Sequence, residues 1–205
     1  MPKLVDKEQR KFDIMQAAVS KCYEDGLSRL SIGDIADATG VSRTLFYQYF
    51  TDKNDILDYA LDYALEVVGR DYERLSSNVF LSAPEKIFRL FENILSDAIT
   101  ERKTIAVLLS IVSEREPGLR KSRLRIWGRI YSIRQSLKRI LSYGIERKEI
   151  RPLDVKAMST VLTHLALSLV QSLTLGKSSN SAAIRHSLSI LLKGLMPDKN
   201  ENQEL

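Results

Sequence analysis

Apolar side chains recur every three or four positions along almost the whole chain, and this periodicity is that of the α-helix. One example is the run Met15, Ala18, Val19, Cys22 and Tyr23. We find no alternation of apolar and polar residues of the kind that β-strands show. Only 9 Gly and 5 Pro occur in 205 residues, so few positions interrupt a helix. The sequence therefore predicts an all-α protein of about nine helices.

Capping and helix-breaking residues place the ends of these helices. Ser31 and Gly40 bound a short second helix, and Ser42 begins a third that ends near residue 50. Thr51 or Asp52 then caps a long fourth helix. The first helix is predicted to end at Gly26, and the fourth to cover residues 53–75. A capping box of Ser82 and Glu85 opens the fifth helix. The last four helices are predicted over 105–112, over 119–145, from a cap at Asp154 to residue 175, and over 181–195.

Composition excludes several classes of protein. Apolar residues make up 44% of the chain and charged residues 28%, which is ordinary for a globular protein. One cysteine excludes an internal disulfide framework and a cysteine zinc site, and two histidines leave little for a metal centre, so we expect no cofactor. Polar residues interrupt the uncharged run 158–176, which favours a buried or interface helix over a membrane span. With no signal-peptide pattern visible, the predicted location is the cytoplasm.

Positive charge is unevenly distributed along the chain. The net charge is +5, but residues 1–60 carry −2 and residues 119–151 carry +9. A basic balance suggests nucleic acid as a partner, and by charge alone the contact would lie in the middle of the chain. A motif in the first sixty residues instead places the contact near the N-terminus. We follow the motif, because phosphate contacts need a few well-placed cations rather than a basic average.

Residues 31–50 read as two short helices joined by a tight turn, which is the pattern of a helix-turn-helix. Ala36 is small where two helices would cross closely, and Gly40 can adopt the positive φ that turns the chain. Ile35, Val41 and Phe46 would form the core between the helices. The second helix would present its N-terminal N–H groups to phosphates and enter a major groove.

This segment resembles the TetR family of transcriptional regulators. The resemblance rests on Gly40-Val41-Ser42, on Phe46-Tyr47-Gln48-Tyr49-Phe50, and on Lys53 and Leu57, and it covers about residues 10–57. Two positions depart from the family's pattern. Ile32 stands where Thr is common, which removes one polar contact, and Leu45 stands where a small or polar residue is common.

The resemblance implies two domains and a set of DNA contacts. Residues 1–52 would be the helix-turn-helix domain, and residues 53–205 would bind an effector and dimerise. Arg43 and Thr44 would reach base edges, because Arg to guanine is the commonest specific contact, and Gln48 would read adenine or a phosphate. The expected phosphate contacts are Ser31, Ser42, Tyr47, Tyr49 and Lys53.

Each of these contacts has a simpler structural alternative. Tyr47 and Tyr49 could be packing residues, and Arg43 could be a solvated surface charge. Ser31 and Ser42 are expected to be helix caps first, with phosphate contact as a second role.

The resemblance also implies a C-terminal domain that dimerises through its last two long helices. The sequence gives these helices broad apolar faces, and the alternative is that they bury within one subunit. The predicted apolar residues are Val161, Leu162, Leu165, Leu169 and Leu173 on one helix and Leu188, Leu191, Leu192 and Leu195 on the other.

Candidate effector contacts fall mainly on the basic helix after Gly118. Its predicted apolar face comprises Leu124, Trp127, Ile130, Tyr131, Leu137 and Leu141, and Arg123 and Arg134 point into that face. An arginine there needs an anionic partner, either an effector or an internal carboxylate among Glu92, Asp97, Glu101 and Glu114, unless its side chain extends to solvent. The candidate effector site is Tyr63, Phe88, Phe91, Arg123, Trp127, Tyr131 and Arg134, with ordinary core packing as the alternative for the aromatic residues.

The leading functional hypothesis is a ligand-responsive repressor that binds a palindromic double-stranded DNA operator as a homodimer. A small-molecule effector is expected, and no membrane contact. The alternatives are a regulator controlled by a protein partner, or an activator. An enzyme is not expected, because we find no nucleophile with a base, no glycine-rich phosphate loop and no metal cluster.

Overall fold

The computed structural model describes residues 7–67, 70–113, 117–176 and 181–197. In these residues the chain is all-α, as predicted, and contains no strand. The ten α-helices are α1 (Lys7–Asp25), α2 (Ile32–Thr39), α3 (Arg43–Phe46), α4 (Lys53–Val67), α5 (Arg70–Ser77), α6 (Ala83–Thr100), α7 (Arg102–Ser113), α8 (Arg120–Glu146), α9 (Val155–Leu175) and α10 (Ser181–Lys193).

The predicted helix over 53–75 corresponds to α4 and α5. Residues 68 and 69, which separate them, lie outside the described ranges, and this segment accounts for the difference between nine helices and ten. The third helix was predicted to end near residue 50, and this is wrong, because α3 ends at Phe46. After Phe46 the backbone hydrogen bonds join residues three positions apart, as in a 3₁₀-helix. They run from Gln48 N to Leu45 O and from Tyr49 N to Phe46 O.

The predicted caps are confirmed. Ser31 Oγ accepts from Asp34 N at 3.2 Å, and Ser42 Oγ accepts from Leu45 N at 3.2 Å. Asp154 caps α9 by accepting from Ala157 N at 2.9 Å. At the start of α4 the choice between two caps is settled in favour of Asp52, whose Oδ1 accepts from Asn54 N and Asp55 N at 2.8 and 2.9 Å.

The chain forms two compact units. The first comprises Met1–Glu66 with Glu101–Ile126, and the second comprises Val67–Thr100 with Trp127–Leu205. These units are defined by packing, whereas the boundary at residue 52 was drawn from the DNA-binding motif and stays a prediction.

The core of the first unit joins the N-terminal helices to α7. Met15, Ala18, Val19 and Cys22 of α1 are buried, but Tyr23, predicted for the same stripe, is exposed. The single cysteine, Cys22, is therefore a buried core thiol. Residues remote in sequence complete this core, namely Val107, Ile111 and Leu119.

The core of the second unit is built on α6, which packs against α5, α9 and α10. Its buried members include Phe91 of α6, Leu137 and Leu141 of α8, and Leu162 and Leu188 of the last two helices. By length and composition alone α9 could cross a bilayer over Val155–Thr174, but a helix that packs in a protein core passes the same test. Because α9 packs on α6, we describe it as a core helix.

The predicted apolar face of α8 is buried only in part. Leu137 and Leu141 are buried, but Leu124, Trp127 and Tyr131 are exposed, the last two by 52% and 56%. The spacing correctly placed these side chains on one face of the helix. It could not show that the described residues leave the first half of that face exposed.

Candidate nucleic-acid interface

The interface is built on the turn between α2 and α3. Gly40 ends α2 with φ of +65°, a conformation that residues with a Cβ rarely adopt. Ile35, Val41 and Phe46 are buried around this turn, so the predicted core between the two helices is confirmed. The packing fixes the direction of α3 and leaves its outer side to solvent.

Five polar residues follow the outer side of α3 and the turn after it. All five side chains are exposed, and Tyr47 is exposed by 58% although its ring edge contacts Phe46. Arg43 is the only charged residue between Gly40 and Thr51. The exposed residues are Ser42, Arg43, Thr44, Tyr47 and Gln48.

Helix N-termini add positive potential to this region. Unpaired N–H groups and the helix dipole favour anions at a helix start. Lys53 is the first residue of α4 and is half-buried, so it adds a cation to such a terminus. Ser31 is less free than predicted, because its hydroxyl donates to Asp34 Oδ2 while accepting from the Asp34 N–H.

Tyr49 lies differently from Tyr47. It is half-buried and packs against the core of the first unit, so the packing alternative describes most of its ring. Its role as a phosphate contact stays a prediction.

Gly33 of α2 is a residue that sequence reasoning missed. A Cβ at this position would lie 2.9 Å from Nη2 of Arg43 and 3.7 Å from its Cζ. The guanidinium therefore lies against the backbone of α2, and a side chain at residue 33 would displace it. The signal was a glycine inside a short helix, where it costs about 1 kcal/mol relative to alanine.

A polar contact fixes α4 to the start of α8 within the first unit. Ser122 Oγ, which is buried, donates to Asp58 Oδ1 at 2.5 Å. Arg125 forms ion pairs with Asp58 and Asp62, one turn apart on α4. The helix that begins with Lys53 is thus held by residues remote in sequence, with 64 positions between Asp58 and Ser122.

The predicted effector residues fall in both units. Tyr63 is half-buried and its hydroxyl donates to Glu101 Oε1 at 3.0 Å, and Arg123 is half-exposed; both belong to the first unit. In the second unit Phe91 lies fully in the core and Phe88 packs against that core. The role of these residues as effector contacts stays a prediction.

For Arg134 the predicted internal ion pair is not found among the described residues, and its role as an effector contact stays a prediction. Its guanidinium lies 5.3 Å from the centroid of the Tyr131 ring, and its buried Nε has no hydrogen-bond partner. Among the described acidic residues none forms an ion pair with it; Glu92 instead approaches Arg185 at 4.0 Å, and Glu114 lies outside the described ranges.

The histidines on the last two helices, His164 and His186, are exposed. In the described part of the chain no cluster of acidic, histidine or cysteine side chains could hold a metal ion.

Comparison with known proteins places residues 14–60 within the sequence profile of bacterial regulatory proteins of the tetR family. The chain is 40% identical over 73 residues to the HTH-type transcriptional regulator HbdR of Aromatoleum sp. (strain CIB), a match that covers 36% of this chain and 31% of HbdR. The match therefore spans about a third of the length of that relative.

Similar structures extend over nearly the whole chain. The ketosteroid transcriptional regulator KstR2 of Mycobacterium tuberculosis matches with a TM-score of 0.75 at 20% identity, covering 92% of this chain and 96% of KstR2. FadR of Bacillus subtilis, solved with stearoyl-CoA, matches with a TM-score of 0.69 at 23% identity, covering 88% of this chain and 96% of FadR. At these identities the likeness establishes the fold.

Proposed function

We propose that this chain is a transcriptional regulator of the tetR family of bacterial regulatory proteins, whose sequence profile matches residues 14–60, and that it binds double-stranded DNA as a homodimer. The observation that carries the proposal is the exposed polar row Ser42, Arg43, Thr44, Tyr47 and Gln48 on a buried helix-turn-helix core. A surface with this composition suits base edges and phosphates. Two such surfaces in one dimer would fit successive major grooves of a palindromic operator.

Within this proposal the exposed residues have different tasks. Arg43 and Thr44 read base edges, and Gln48 reads adenine or a phosphate. Tyr47, Tyr49 and Lys53 bind phosphates, and Ser31 and Ser42 add hydroxyl contacts to their capping role. Support comes from the exposure of Arg43 and from the position of Lys53 at the start of α4.

We propose that the dimer forms through α9 and α10. Three large apolar side chains on these helices are exposed in the single chain, namely Val161, Ile190 and Leu191. Large apolar side chains left exposed on helices are typical of a subunit interface. Two helices from each protomer would form a four-helix contact and bury these side chains.

We further propose that a small molecule releases the DNA, so that the protein acts as a repressor in the cytoplasm. KstR2 is described as a ketosteroid regulator and FadR was solved with stearoyl-CoA, which supports a small-molecule effector for a chain of the same fold. Candidate contacts are Tyr63, Phe88, Phe91, Arg123, Trp127, Tyr131 and Arg134. The effector acts only if it binds the DNA-releasing conformation more tightly than the other.

The experiment that tests this function is selection of binding sites from random duplex DNA with the purified protein near physiological salt. We expect a palindrome whose half-site spacing matches successive major grooves. Recovery of no motif, both from protein as purified and from protein refolded to remove bound ligand, would contradict sequence-specific DNA binding.

A second candidate is control by a protein partner. The observation in its favour is the exposed pair Trp127 and Tyr131 on the most basic stretch of the chain, because aromatic residues with arginines are enriched at protein interfaces. Replacing both aromatic residues with serine separates the two candidates. Response to small molecules would persist if these residues serve only a protein partner.

A further inference from the structure

The second unit contains a cleft that the DNA-binding function does not use. It lies between the end of α5, the first half of α6 and the second half of α8, and has a volume of about 380 Å³. Sites for small molecules begin at about 300 Å³. We name it the Lys86 cleft; it is lined by Ser76, Ser77, Lys86, Arg139, Ile140 and Tyr143.

Lys86 is the unusual residue of this cleft. It is only 4% exposed, whereas a lysine without an acidic partner normally stays in water. Its ammonium group has three N–H donors. One donates to Ser76 O at 3.3 Å, and the group also lies 4.8 Å from the centroid of the Tyr143 ring. No described acidic residue forms an ion pair with it.

Both charged residues that line the cleft are cations. Arg139 is the second charged residue that lines the cleft, and its Nη2 donates to a neutral group, Ser136 Oγ, at 3.0 Å. Among the described acidic residues Glu149 interacts electrostatically with Lys86, but its carboxylate accepts from Ala83 N at 2.7 Å and from Arg147 Nε at 2.8 Å. Burial raises the pKa of Glu149, and these hydrogen bonds and the charges of Arg147 and Lys86 together lower it below its usual value.

The remainder of the cleft is apolar. Ile140 and the ring of Tyr143 form its wall, and the exposed Val79 stands at its edge. Phe80, the next residue, is 92% exposed. A ligand that fits this arrangement would carry its charge at one end and hydrocarbon at the other.

We propose that the Lys86 cleft binds an amphipathic small molecule through an anionic headgroup, a carboxylate or a phosphate monoester. The headgroup accepts from the two Lys86 donors that have no hydrogen-bond partner among the described residues and from Arg139, and the hydrocarbon lies along Ile140, Tyr143 and Val79. Such a ligand supplies a negative charge that none of the described residues brings into an ion pair with the buried ammonium. Binding stands on the cleft alone; only its consequence for DNA release rests on the proposed function.

Calorimetric titration of the full chain tests the proposal with three probes of equal chain length. These are octanoate, octyl phosphate and the neutral octanol. We expect at least one of the two anions to bind and octanol to bind on the order of tenfold more weakly, because hydrogen bonds between charged groups are the strong ones. Whichever anion binds more tightly identifies the headgroup.

Matched variants locate the site. Lys86→Met keeps the length and removes the charge, and we expect it to lose the preference for the anion. Lys156→Met, on the exposed start of α9, removes a lysine of the same unit and should bind the anions as the wild type does. If Lys86→Met does not fold, Arg139→Met takes its place, because Arg139 is exposed and its loss removes the second cation of the cleft.

Three outcomes would overturn the proposal. The anions fail to bind the wild type, octanol binds as tightly as octanoate, or the anions bind both cleft variants unchanged. If Lys86 only caps the carbonyl end of α5, Lys86→Met lowers the melting temperature and the wild type binds no anion. Because the titration contains no DNA, it can fail while site selection succeeds, or the reverse.

Discussion

Replacing Arg43 with alanine should separate base recognition from general DNA affinity. The side chain is exposed, and Ser42 keeps its capping bond to Leu45 N in the variant. A surface substitution of this kind changes the free energy of unfolding by less than about 0.5 kcal/mol. The variant therefore remains folded, and a change in binding reports the loss of the guanidinium.

The size of the effect follows from one Arg43 in each protomer. A bidentate contact to guanine contributes about 1–3 kcal/mol of discrimination, so two half-sites lose about 2 kcal/mol or more. This corresponds to at least about a 30-fold weaker Kd on the selected operator. Binding to a scrambled duplex should fall much less, because it depends on phosphate contacts.

Fluorescence anisotropy with both duplexes at several salt concentrations measures this difference, and Lys53→Ala is the matched comparison. Removing one phosphate contact per protomer should weaken binding to both duplexes. It should also reduce the slope of log K against log salt by about 1.8 for the dimer. If Arg43→Ala weakens both duplexes equally, or Lys53→Ala leaves the slope unchanged, the roles assigned to these residues are wrong.

Three further predictions concern the second unit. Asp154→Ala removes the cap of α9 and should lower the free energy of unfolding by about 1 kcal/mol in denaturant titration. Leu191, 60% exposed on α10, should hold the dimer: Leu191→Asp should give monomers in light scattering, whereas Ser187→Asp on the same helix should not. Glu149 has a lowered pKa, so the stability it contributes is present above its unfolded pKa of about 4.3 and is lost as the pH falls through the folded value. Glu149→Gln should therefore unfold at lower denaturant concentration at pH 7, with the difference from wild type disappearing in acid.

Local chemistry explains why most of the fold could be predicted from the sequence. Ser31, Ser42 and Asp154 cap helices through their own side chains and N–H groups three residues away, so the neighbouring sequence contains all that is needed. The turn at Gly40 is equally local. The end of α3 was predicted wrongly because the α-helical and 3₁₀ patterns of hydrogen bonds are both common at a helix terminus.

The features that could not be predicted from the sequence depend on contacts between distant segments of the chain. The spacing of Trp127 and Tyr131 shows which face of α8 they share, but whether another helix covers that face depends on the packing of the whole chain. Gly33 and Arg43 meet because the turn sets the distance between α2 and α3. Lys86 is an unremarkable lysine in sequence, and only the neighbouring ends of α5 and α8 show that it is buried.

The composition of the first core has a consequence for protein engineering. Regulators with new specificities are often sought by joining the DNA-reading part of one protein to the sensing part of another. Here Ile56, Leu57, Val107, Ile111 and Leu119 belong to the same core as α1 and α2, so a chimera joined at residue 52 would leave that core uncovered. A working chimera should instead carry residues 1–66 together with 101–126, or exchange the surface residues of α3 alone.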